Sequence, residues 1–308
     1  MSSQKTKTGP RKTPKTPASP RRKPAGRATN RTTSSHLVQA NNQLTEQFRE
    51  LRLPMFREHF QKTAERALSE SLSHTEYLSE LAELECQTRR ESRIARLMTQ
   101  SQLTRSKTWD NFDWKRLPIQ VTRQMESLRD GTFLDRRENL LIFGKPGSGK
   151  SHCLCALGEQ LIQRGRSILM TTCSLLVQQL LIAKRDLRLP KLIKRLSRFD
   201  GLIIDDLGYV QQSREEMEVL FTLLAERYER GSVLLTSNLP FSKWEQIFKD
   251  AMTTAAAIDR LVHHSVILEL NVSSYRLENA KNPRPKSRTN KAYTPNKRRD
   301  FRRNSNCR

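Results

Sequence analysis

The stretch LIFGKPGSGKS, residues 141–151, decides the fold of this chain. Apolar residues lead into a glycine-rich turn, and the turn ends in Lys150 and Ser151. Residues 144–151 fit the pattern G-x-x-x-x-G-K-[ST] of a phosphate-binding loop without a mismatch. Such a loop turns its backbone N–H groups toward phosphate oxygens, and the helix that follows adds the positive end of its dipole. The sequence therefore predicts a site for ATP or GTP.

The loop also predicts the roles of its side chains. We expect the Lys150 ammonium group to meet the β- and γ-phosphates and the Ser151 hydroxyl to ligate Mg²⁺. The nucleotide-binding residues predicted from the motif are Gly144, Lys145, Pro146, Gly147, Ser148, Gly149, Lys150 and Ser151.

Short apolar strands alternate with helices from residue 139 to residue 270. The strands are predicted at residues 139–143, 167–172, 201–208, 232–238 and 265–270, with helices at 174–186, 190–199 and 214–231 and another from the loop to about residue 164. Strands that are apolar along nearly their whole length are typical of a parallel sheet with helices on both faces. The predicted fold class is therefore α/β with a five-stranded parallel sheet.

Two acids close the third predicted strand, which reads LIIDD at residues 202–206. An acid at the end of a buried strand can reach a metal ion held at the loop, so Asp205 is the predicted second ligand of Mg²⁺. Asp206 is placed to orient or deprotonate an attacking water molecule. The alternative is that both acids cap the following helix.

Three more polar residues lie near strand ends. Asn238 closes the fourth strand, where its amide would point at the γ-phosphate region and sense hydrolysis. The alternative is that it caps the turn before Pro240. Arg260 and Arg276 flank the last strand, and either could stabilise transition-state charge, Arg260 from a neighbouring subunit. Structural ion pairing is the alternative for both arginines.

Positive side chains between the second and third strands form a candidate DNA contact. In the helix predicted at 190–199, basic residues share one face, and Leu192, Leu196 and Phe199 would hold the other face to the core. A basic face attached to a nucleotide-responsive sheet could couple the nucleotide state to contacts with DNA phosphates. The alternative is a solvated surface. The predicted DNA-binding residues are Lys184, Arg185, Arg188, Lys191, Lys194, Arg195 and Arg198.

A helical region is predicted before the loop. Apolar residues at helical spacing predict helices on both sides of Pro54, and Thr75 is the predicted cap of the later helix. The segment TWDNFDWKRLP, residues 108–118, then interrupts the pattern. Its tryptophans and phenylalanine would be costly to leave in water, so we expect this linker to pack on the domain that follows.

The positive charge of the chain is concentrated at its two ends. The chain has 56 basic and 32 acidic residues, a net charge of +24. Residues 1–35 contain ten basic residues and no acid, and residues 279–308 contain eleven basic residues and one acid. Both ends are poor in apolar residues, so we predict disordered tails. Such runs favour a polyanionic partner, nucleic acid above a membrane surface, although tails that only increase solubility are the alternative.

The remaining composition argues against a metal site built from cysteine or histidine and against a membrane segment. The five cysteines lack metal-ligand spacing, so we interpret them as small core residues of a protein in a reducing cytoplasm. His263 and His264 are adjacent and cannot share a helix face, which disfavours a metal site there. The sequence has no secretory signal and no apolar run of 18 residues, so we expect no membrane association.

Ordered segments within residues 44–278 resemble the IstB branch of the IstB/DnaC-like AAA+ ATPases. They are LRLPMF, NFDW, GKPGSGKSH, LIIDDLGY, ERYERGSVLLTSNLPFSKW, AIDRLVHHS and SYRLE, in that order. Seven ordered segments make the match far more specific than a phosphate-binding loop alone.

The resemblance implies an AAA+ ATPase domain at residues 116–280 and an N-terminal helical domain with its linker at 36–115. The basic tails at 1–35 and 281–308 are predicted from composition alone and depart from the family pattern. It also implies a function: the ATP- and Mg²⁺-dependent helper ATPase of an insertion sequence. Such a protein would assemble as a homo-oligomer on target double-stranded DNA and recruit or activate the transposase encoded by the same element.

The resemblance also implies roles for individual residues. Arg260 matches a trans-acting arginine, Arg276 matches an arginine assigned to nucleotide sensing, and His152 extends the nucleotide-binding segment. Many relatives carry glutamate where this chain has Asp206, whose side chain is one methylene shorter.

Two other functions fit parts of the sequence. A replicative helicase loader of the same wider family would share the ATP site but bind single-stranded DNA and a helicase ring. Aromatic residues are only 6% of the chain and the candidate DNA-contacting residues are basic, which favours the duplex backbone. A basic DNA-compacting protein with an inactive ATP site is disfavoured by the intact loop and the two aspartates.

Overall fold

The computed structural model of the chain describes residues 29–208, 213–244, 251–275 and 278. The predicted tail at 281–308 lies outside the described residues, as do Arg276 and most of the predicted tail at 1–35. The chain divides into two compact units, Met1–Thr88 and Arg89–Arg308. The division predicted from the sequence, at residues 115 and 116, stays a prediction.

The first unit is helical. It contains α1 (Thr29–Glu50), α2 (Pro54–Ser69) and the first part of α3 (His74–Gln100). The Phe48 ring of α1 packs on Phe56 and Phe60 of α2, with ring centroids 5.5 Å apart in both pairs. Pro54 occupies the first turn of α2, where the N–H group that proline lacks would have no helical partner.

The cap of α3 is Ser73, and the prediction of Thr75 was wrong. The Glu76 N–H donates to Ser73 Oγ at 3.2 Å, and the Ser73 N–H donates to Glu76 Oε2 at 2.8 Å. This reciprocal pair requires the hydroxyl three residues before the glutamate, which is the position of Ser73. The same hydrogen bonds lower the pKa of the Glu76 carboxyl group.

The second unit is built on five parallel strands, as predicted. They are β1 (Asn139–Gly144), β2 (Ile168–Thr172), β3 (Gly201–Leu207), β4 (Ser232–Ser237) and β5 (Ser265–Leu270), and their order across the sheet is β2-β3-β4-β1-β5. The helices are α4 (Ile119–Leu128), α5 (Thr132–Asp135), α6 (Lys150–Gln163), α7 (Cys173–Arg185), α8 (Leu189–Leu196), α9 (Arg214–Arg227) and α10 (Ala251–Val262).

Helices cover both faces of the sheet, because successive side chains of a strand point to opposite faces. In β1, Leu141 and Phe143 join a core cluster with α7, α8, α9 and α10. Leu140 and Ile142 join a second cluster with α4, α5 and α6. All four side chains are buried, which is why the strand reads as continuously apolar in the sequence.

Three cysteines are core residues, as interpreted. Cys153, Cys155 and Cys173 are each 0–1% exposed. Burial raises the pKa of the Cys153 thiol to about 12, so that thiol is not reactive at neutral pH. Cys86 is exposed, so the interpretation of all five cysteines as core residues was wrong for this one, and Cys307 lies outside the described residues.

The helix α8, which carries three of the seven predicted DNA-binding residues, is amphipathic. Ile193 and Leu196 of α8 are buried in the core cluster shared with α7 and β3, whereas Leu192 and Phe199 are only partly buried. The inward face is therefore centred on Ile193 and Leu196. Leu196 belongs to the predicted face, whereas Ile193 is buried in place of Leu192.

A buried arginine ties the end of α8 to the sheet. The Arg227 guanidinium group, 1% exposed, donates to the carbonyl oxygens of Leu196 at 2.9 Å, Phe199 at 3.0 Å and Ser232 at 2.9 Å. Burial lowers the pKa of Arg227 to about 10, so the group stays charged at neutral pH. It therefore joins the last turn of α8 to the first residue of β4.

The turn between α7 and α8 offers a stability test. Leu187 is 91% exposed and has a φ of 55°, which places a bulky side chain in the left-handed region where a helix usually ends on glycine. We expect Leu187→Gly to raise the free energy of unfolding by about 1 kcal/mol, because the left-handed conformation costs glycine little. Denaturant unfolding of the purified protein measures this difference.

Ile182→Gly is the matched control for that substitution. Ile182 is 54% exposed and lies inside α7, so glycine there is expected to lower the free energy of unfolding by about 1 kcal/mol or more. Changes of the same sign in both variants would contradict the left-handed conformation of Leu187.

Candidate nucleotide-binding site

The carboxyl ends of β1, β3 and β4 bring the predicted nucleotide-binding elements to one edge of the sheet. Because β4 lies between β1 and β3, the loop after β1, the acids ending β3 and Asn238 after β4 are neighbours. Lys150, Ser151, Asp206 and Asn238 line one pocket of about 430 Å³.

Two glycines of the loop have conformations and neighbours that exclude a side chain. Gly147 has a φ of 81°, and a β-carbon there would collide with the Ser274 hydroxyl. Gly149 has a φ of 99°, and a β-carbon there would lie 2.8 Å from Cε2 of the Phe112 ring. The loop therefore keeps its shape only with glycine at these two positions.

The polar groups of the loop are arranged to receive an anion. The Lys150 ammonium group is 6% exposed and donates to the carbonyl oxygens of Gly144 at 2.8 Å and Lys145 at 3.1 Å. The Ser148 Oγ is buried and has no hydrogen-bond partner among the described residues. Buried hydroxyl groups are normally paired, and an incoming phosphate oxygen would supply the missing partner. The loop thus fits the phosphates of a nucleotide.

The two predicted metal ligands are brought together. The Ser151 Oγ donates to Asp205 Oδ1 at 2.9 Å, across 54 residues of sequence. This bond turns the hydroxyl proton toward the carboxylate and leaves the oxygen lone pairs available to a cation. A hydroxyl and a carboxylate oxygen are ligands that Mg²⁺ accepts, so the donor set fits that ion. The metal-binding roles of both residues stay predictions.

Asp206 and Asn238 line the same pocket. Asp206 is exposed and has a φ of 60°, in the left-handed region that aspartate tolerates better than most residues. Asn238 is partly buried directly after β4. The roles of both residues in hydrolysis stay predictions.

The linker aromatics pack on the second unit, as expected, and also form part of the pocket wall. Trp109 stacks on Trp114 with ring centroids 4.1 Å apart, and Phe112 lies 4.5 Å from Trp114. The Arg129 guanidinium group covers the Trp109 ring at 4.5 Å. The residues that line the pocket from this segment and the two positions before it, which we call the aromatic wall, are Ser106, Lys107, Asn111, Phe112, Asp113, Arg116 and Leu117. The sequence did not lead to a prediction of this wall, although the two tryptophans and the phenylalanine close together in the segment were a signal for it.

His152 connects the loop helix to this aromatic segment. Its Nε2–H donates to the Thr108 carbonyl oxygen at 2.9 Å, and its ring lies edge-on to Phe112 at 5.0 Å between centroids. Burial lowers the pKa of His152, so the imidazole is neutral at pH 7. His152 lines the pocket, and its direct contact with nucleotide stays a prediction.

The segment after β5 closes the other side of the loop. The Tyr275 N–H donates to the Gly147 carbonyl oxygen at 3.0 Å, and Tyr275 lines the pocket. Arg116 lies over the Tyr275 ring at 5.0 Å and forms an ion pair with Glu278 at 2.6 Å. The predicted sensor Arg276 belongs to this segment but lies outside the described residues.

Arg260 is not among the residues that line the nucleotide pocket. It belongs to α10, where its guanidinium group lies 4.7 Å from the Phe221 ring centroid and donates to the Ala256 carbonyl oxygen at 3.0 Å. It lines a separate cavity of about 200 Å³ together with Arg136 and Arg137. A catalytic role for Arg260 therefore requires a neighbouring subunit, as predicted, and stays a prediction.

The two adjacent histidines lie in the turn after α10, so the helix-face argument against a metal site does not apply to them. Potential ligand atoms of Glu229, His263 and His264 lie within 4.8 Å of one another. His263 Nδ1 is 3.0 Å from the Tyr228 hydroxyl, which already partners that nitrogen. Arg136 and Arg137 line the adjoining cavity with Glu229 and His264, and their charge opposes cation binding.

All seven predicted DNA-binding residues are exposed, and we call this set the basic surface. Five of them line an open groove of about 580 Å³ between α7 and α8, with Ile182 and Leu192 among its apolar residues. The Lys184 ammonium group is partly engaged by Glu218 at 3.0 Å. DNA binding by these residues stays a prediction; the five in the groove are Arg188, Lys191, Lys194, Arg195 and Arg198.

Among the helices of the described residues, none combines the length and the apolar character that crossing a bilayer would require.

The parallel sheet, the loop after β1 and the acids of β3 define a P-loop ATPase of the AAA+ class. The family model described as IstB-like ATP binding protein matches residues 46–283. The chain belongs to this family of ATP-binding ATPases, which confirms the resemblance drawn from the sequence.

Curated relatives agree with this assignment. An insertion-sequence ATP-binding protein of Sinorhizobium fredii is 41% identical over 232 residues, which are 75% of this chain and 78% of the relative. The ATP-binding protein of insertion sequence IS5376 from Geobacillus stearothermophilus is 36% identical over 74% of this chain and 90% of the relative. AMPPCP-bound DnaA from Aquifex aeolicus is a weaker structural match, with 16% identity, 59% of this chain, 56% of that chain and a TM-score of 0.48.

Proposed function

We propose that this chain is the helper ATPase of an insertion sequence. In the cytoplasm it binds ATP, assembles as a homo-oligomer on target double-stranded DNA, and recruits or activates the transposase encoded by the same element. The observation that carries the proposal is one compact unit holding both a nucleotide pocket and the exposed basic surface. The family and the insertion-sequence relatives support the assignment to transposition.

Different residues of the pocket bind the ATP phosphates, hold the metal ion and take part in ATP hydrolysis. Lys150 and the backbone of the loop hold the phosphates, and the unpaired Ser148 hydroxyl donates to one of their oxygens. Ser151 and Asp205 would hold Mg²⁺, which neutralises phosphate charge when bound. Asp206 orients or deprotonates the water, and Asn238 contacts the γ-phosphate region.

The aromatic wall suits the base of the nucleotide. Phe112 and Asn111 line the same pocket, and an aromatic ring and a side-chain amide are groups that a nucleotide base can contact. His152 hydrogen-bonds to Thr108, and the Phe112 ring lies beside Gly149, so the segment packs directly on the phosphate-binding loop. The groups that hold the base and those that hold the phosphates therefore belong to one packed unit.

Apolar packing and the hydrogen bonds of Arg227 connect α8, which carries part of the basic surface, to the core and to β4. Ile193 and Leu196 pack α8 on the core, and Arg227 fixes the last turn of α8 to β4. β4 also ends at the nucleotide pocket, next to Asn238. A change at the pocket that moves β4 would therefore move the basic surface, which couples nucleotide state to DNA contact.

The experiment that tests this function compares binding to duplex and single-stranded DNA with ATP, with ADP and without nucleotide, at two salt concentrations. It uses the full chain and residues 36–280, because the predicted tails alone could bind any polyanion. Duplex binding by residues 36–280 that requires ATP supports the proposal. Preference for single strands would favour a helicase loader, and loss of all binding with the tails would contradict DNA contact by the basic surface.

The salt dependence of duplex binding tests the basic surface directly. We expect Lys191→Ala, Lys194→Ala and Arg195→Ala together to reduce the slope of log affinity against log salt by about 3, roughly one unit per lost phosphate contact. Fluorescence anisotropy across a salt series measures this slope.

The matched control removes three exposed positive charges elsewhere on the same unit. Lys115→Ala, Arg123→Ala and Lys243→Ala change the net charge equally but spare the basic surface. An equal loss of slope in both triple variants would show that net charge, and not the basic surface, drives binding.

A further inference from the structure

The strand β4 contributes a buried hydroxyl to the two acids of β3. The Thr236 side chain is fully buried, and its Oγ1 donates to Asp205 Oδ1 at 2.6 Å. The same Oγ1 accepts the backbone N–H of Asp206 at 2.8 Å. One hydroxyl therefore contacts the predicted metal ligand and the backbone of the predicted base.

The Asp206 N–H needs this side-chain acceptor because the sheet is irregular there. The pairing of β3 with β4 runs from Ile204 opposite Leu235 to Leu207 opposite Ser237, so two residues of β3 face Thr236 alone. Such a bulge interrupts the backbone ladder and redirects a side chain, and bulges are common beside active sites. Asp206 takes a φ of 60° within the bulge and lines the pocket.

The carboxylate of Asp205 is oriented by two hydroxyl groups from different elements. Ser151 of the loop helix donates to Oδ1 at 2.9 Å, and Thr236 donates to the same oxygen. Asp205 Oδ2 accepts no hydrogen bond among the described residues, which leaves it for a cation. Partners of this kind fix the rotation of a ligating carboxylate and tune its affinity for metal.

We propose that Thr236 is a positioning residue that sets the Asp205 carboxylate and the Asp206 bulge together. It does not line the nucleotide pocket and acts through the two acids. The inference rests on the proposed ATP hydrolysis and on the placement of the metal ion at Ser151 and Asp205. It does not depend on DNA binding.

The test compares Thr236→Val, which keeps the shape and removes the hydroxyl, with Thr236→Ser, which keeps the hydroxyl. Mn²⁺ replaces Mg²⁺ as a spectroscopic probe, and its binding to the DNA-free protein with ATP is measured by electron paramagnetic resonance. We expect Thr236→Val to weaken Mn²⁺ binding and slow hydrolysis by roughly 10- to 100-fold, with ATP affinity in EDTA unchanged. Thr236→Ser is expected to restore most of both losses.

Two matched variants identify the cause of any loss. Thr171→Val makes the same change in β2, where the hydroxyl donates only to the Thr172 carbonyl oxygen, and it is expected to change neither quantity. Asp205→Asn is expected to weaken Mn²⁺ binding. If Asp205→Asn does so while Thr236→Val only lowers thermal stability, Thr236 is a structural residue and the inference is wrong. If Asp205→Asn leaves Mn²⁺ binding unchanged, Asp205 does not hold the metal ion and the inference is wrong. This outcome is independent of the DNA-binding test of the proposed function.

Discussion

Lys150→Ala is expected to lower ATP affinity by roughly 10²- to 10³-fold, the loss typical of removing one partner of a buried charge pair. Lys150 is almost fully buried, and its ammonium group donates to two carbonyl oxygens of the loop. Lys107, the other described lysine that lines the pocket, has no such contact with the loop among the described residues. Assembly on duplex DNA should lose its dependence on ATP in the same variant. Titration with a fluorescent ATP analogue measures the affinity, and sedimentation with duplex DNA measures assembly.

Lys145→Ala is the control for that loss. Lys145 belongs to the same loop, but its side chain is exposed and its contact with Lys150 is through its backbone carbonyl oxygen. Its substitution removes the same charge and is expected to cost less than about tenfold in ATP affinity. Unchanged ATP-dependent assembly in Lys150→Ala would overturn the proposed mechanism.

Asp206→Asn is expected to slow ATP hydrolysis by roughly 10²- to 10⁴-fold while ATP affinity stays within a few-fold of the unsubstituted protein. An amide can orient water but cannot take up its proton. Asparagine also tolerates the left-handed backbone of this position, so the substitution preserves the bulge at a φ of 60°. Single-turnover release of phosphate separates the chemical step from ATP binding.

Asp206→Glu serves as the companion variant. It keeps the carboxylate and adds the methylene that many relatives are expected to have, at the cost of a less favourable left-handed backbone. Recovery of hydrolysis in this variant would support the role of the carboxylate. Normal turnover in Asp206→Asn would remove Asp206 as the base and leave water activation to another group.

The sheet and the loop could be predicted because their signals are local. The strand at 139–144 and the glycine pattern beside it lie within 13 residues, and each strand is apolar along its length because both faces of the sheet are covered. The bounds of all five strands agree with the prediction to within one residue. The prediction of the α3 cap was wrong for a local reason as well, since the helix starts two residues earlier than predicted and the capping hydroxyl is that of Ser73 and not of Thr75.

The sequence by itself determined the fold class, the family and the nucleotide-binding loop, since each depends on residue type and short spacing. Only the tertiary structure decided which distant groups meet. Thr236 reaches Asp205 across 31 residues, Arg227 reaches α8 across 31 residues, and the aromatic segment covers a loop helix 44 residues away at His152. The strand order β2-β3-β4-β1-β5 creates the first of these contacts by inserting β4 between the loop strand and the acidic strand. Contacts of this kind follow from how separate elements pack, and no pattern within a single element encodes them.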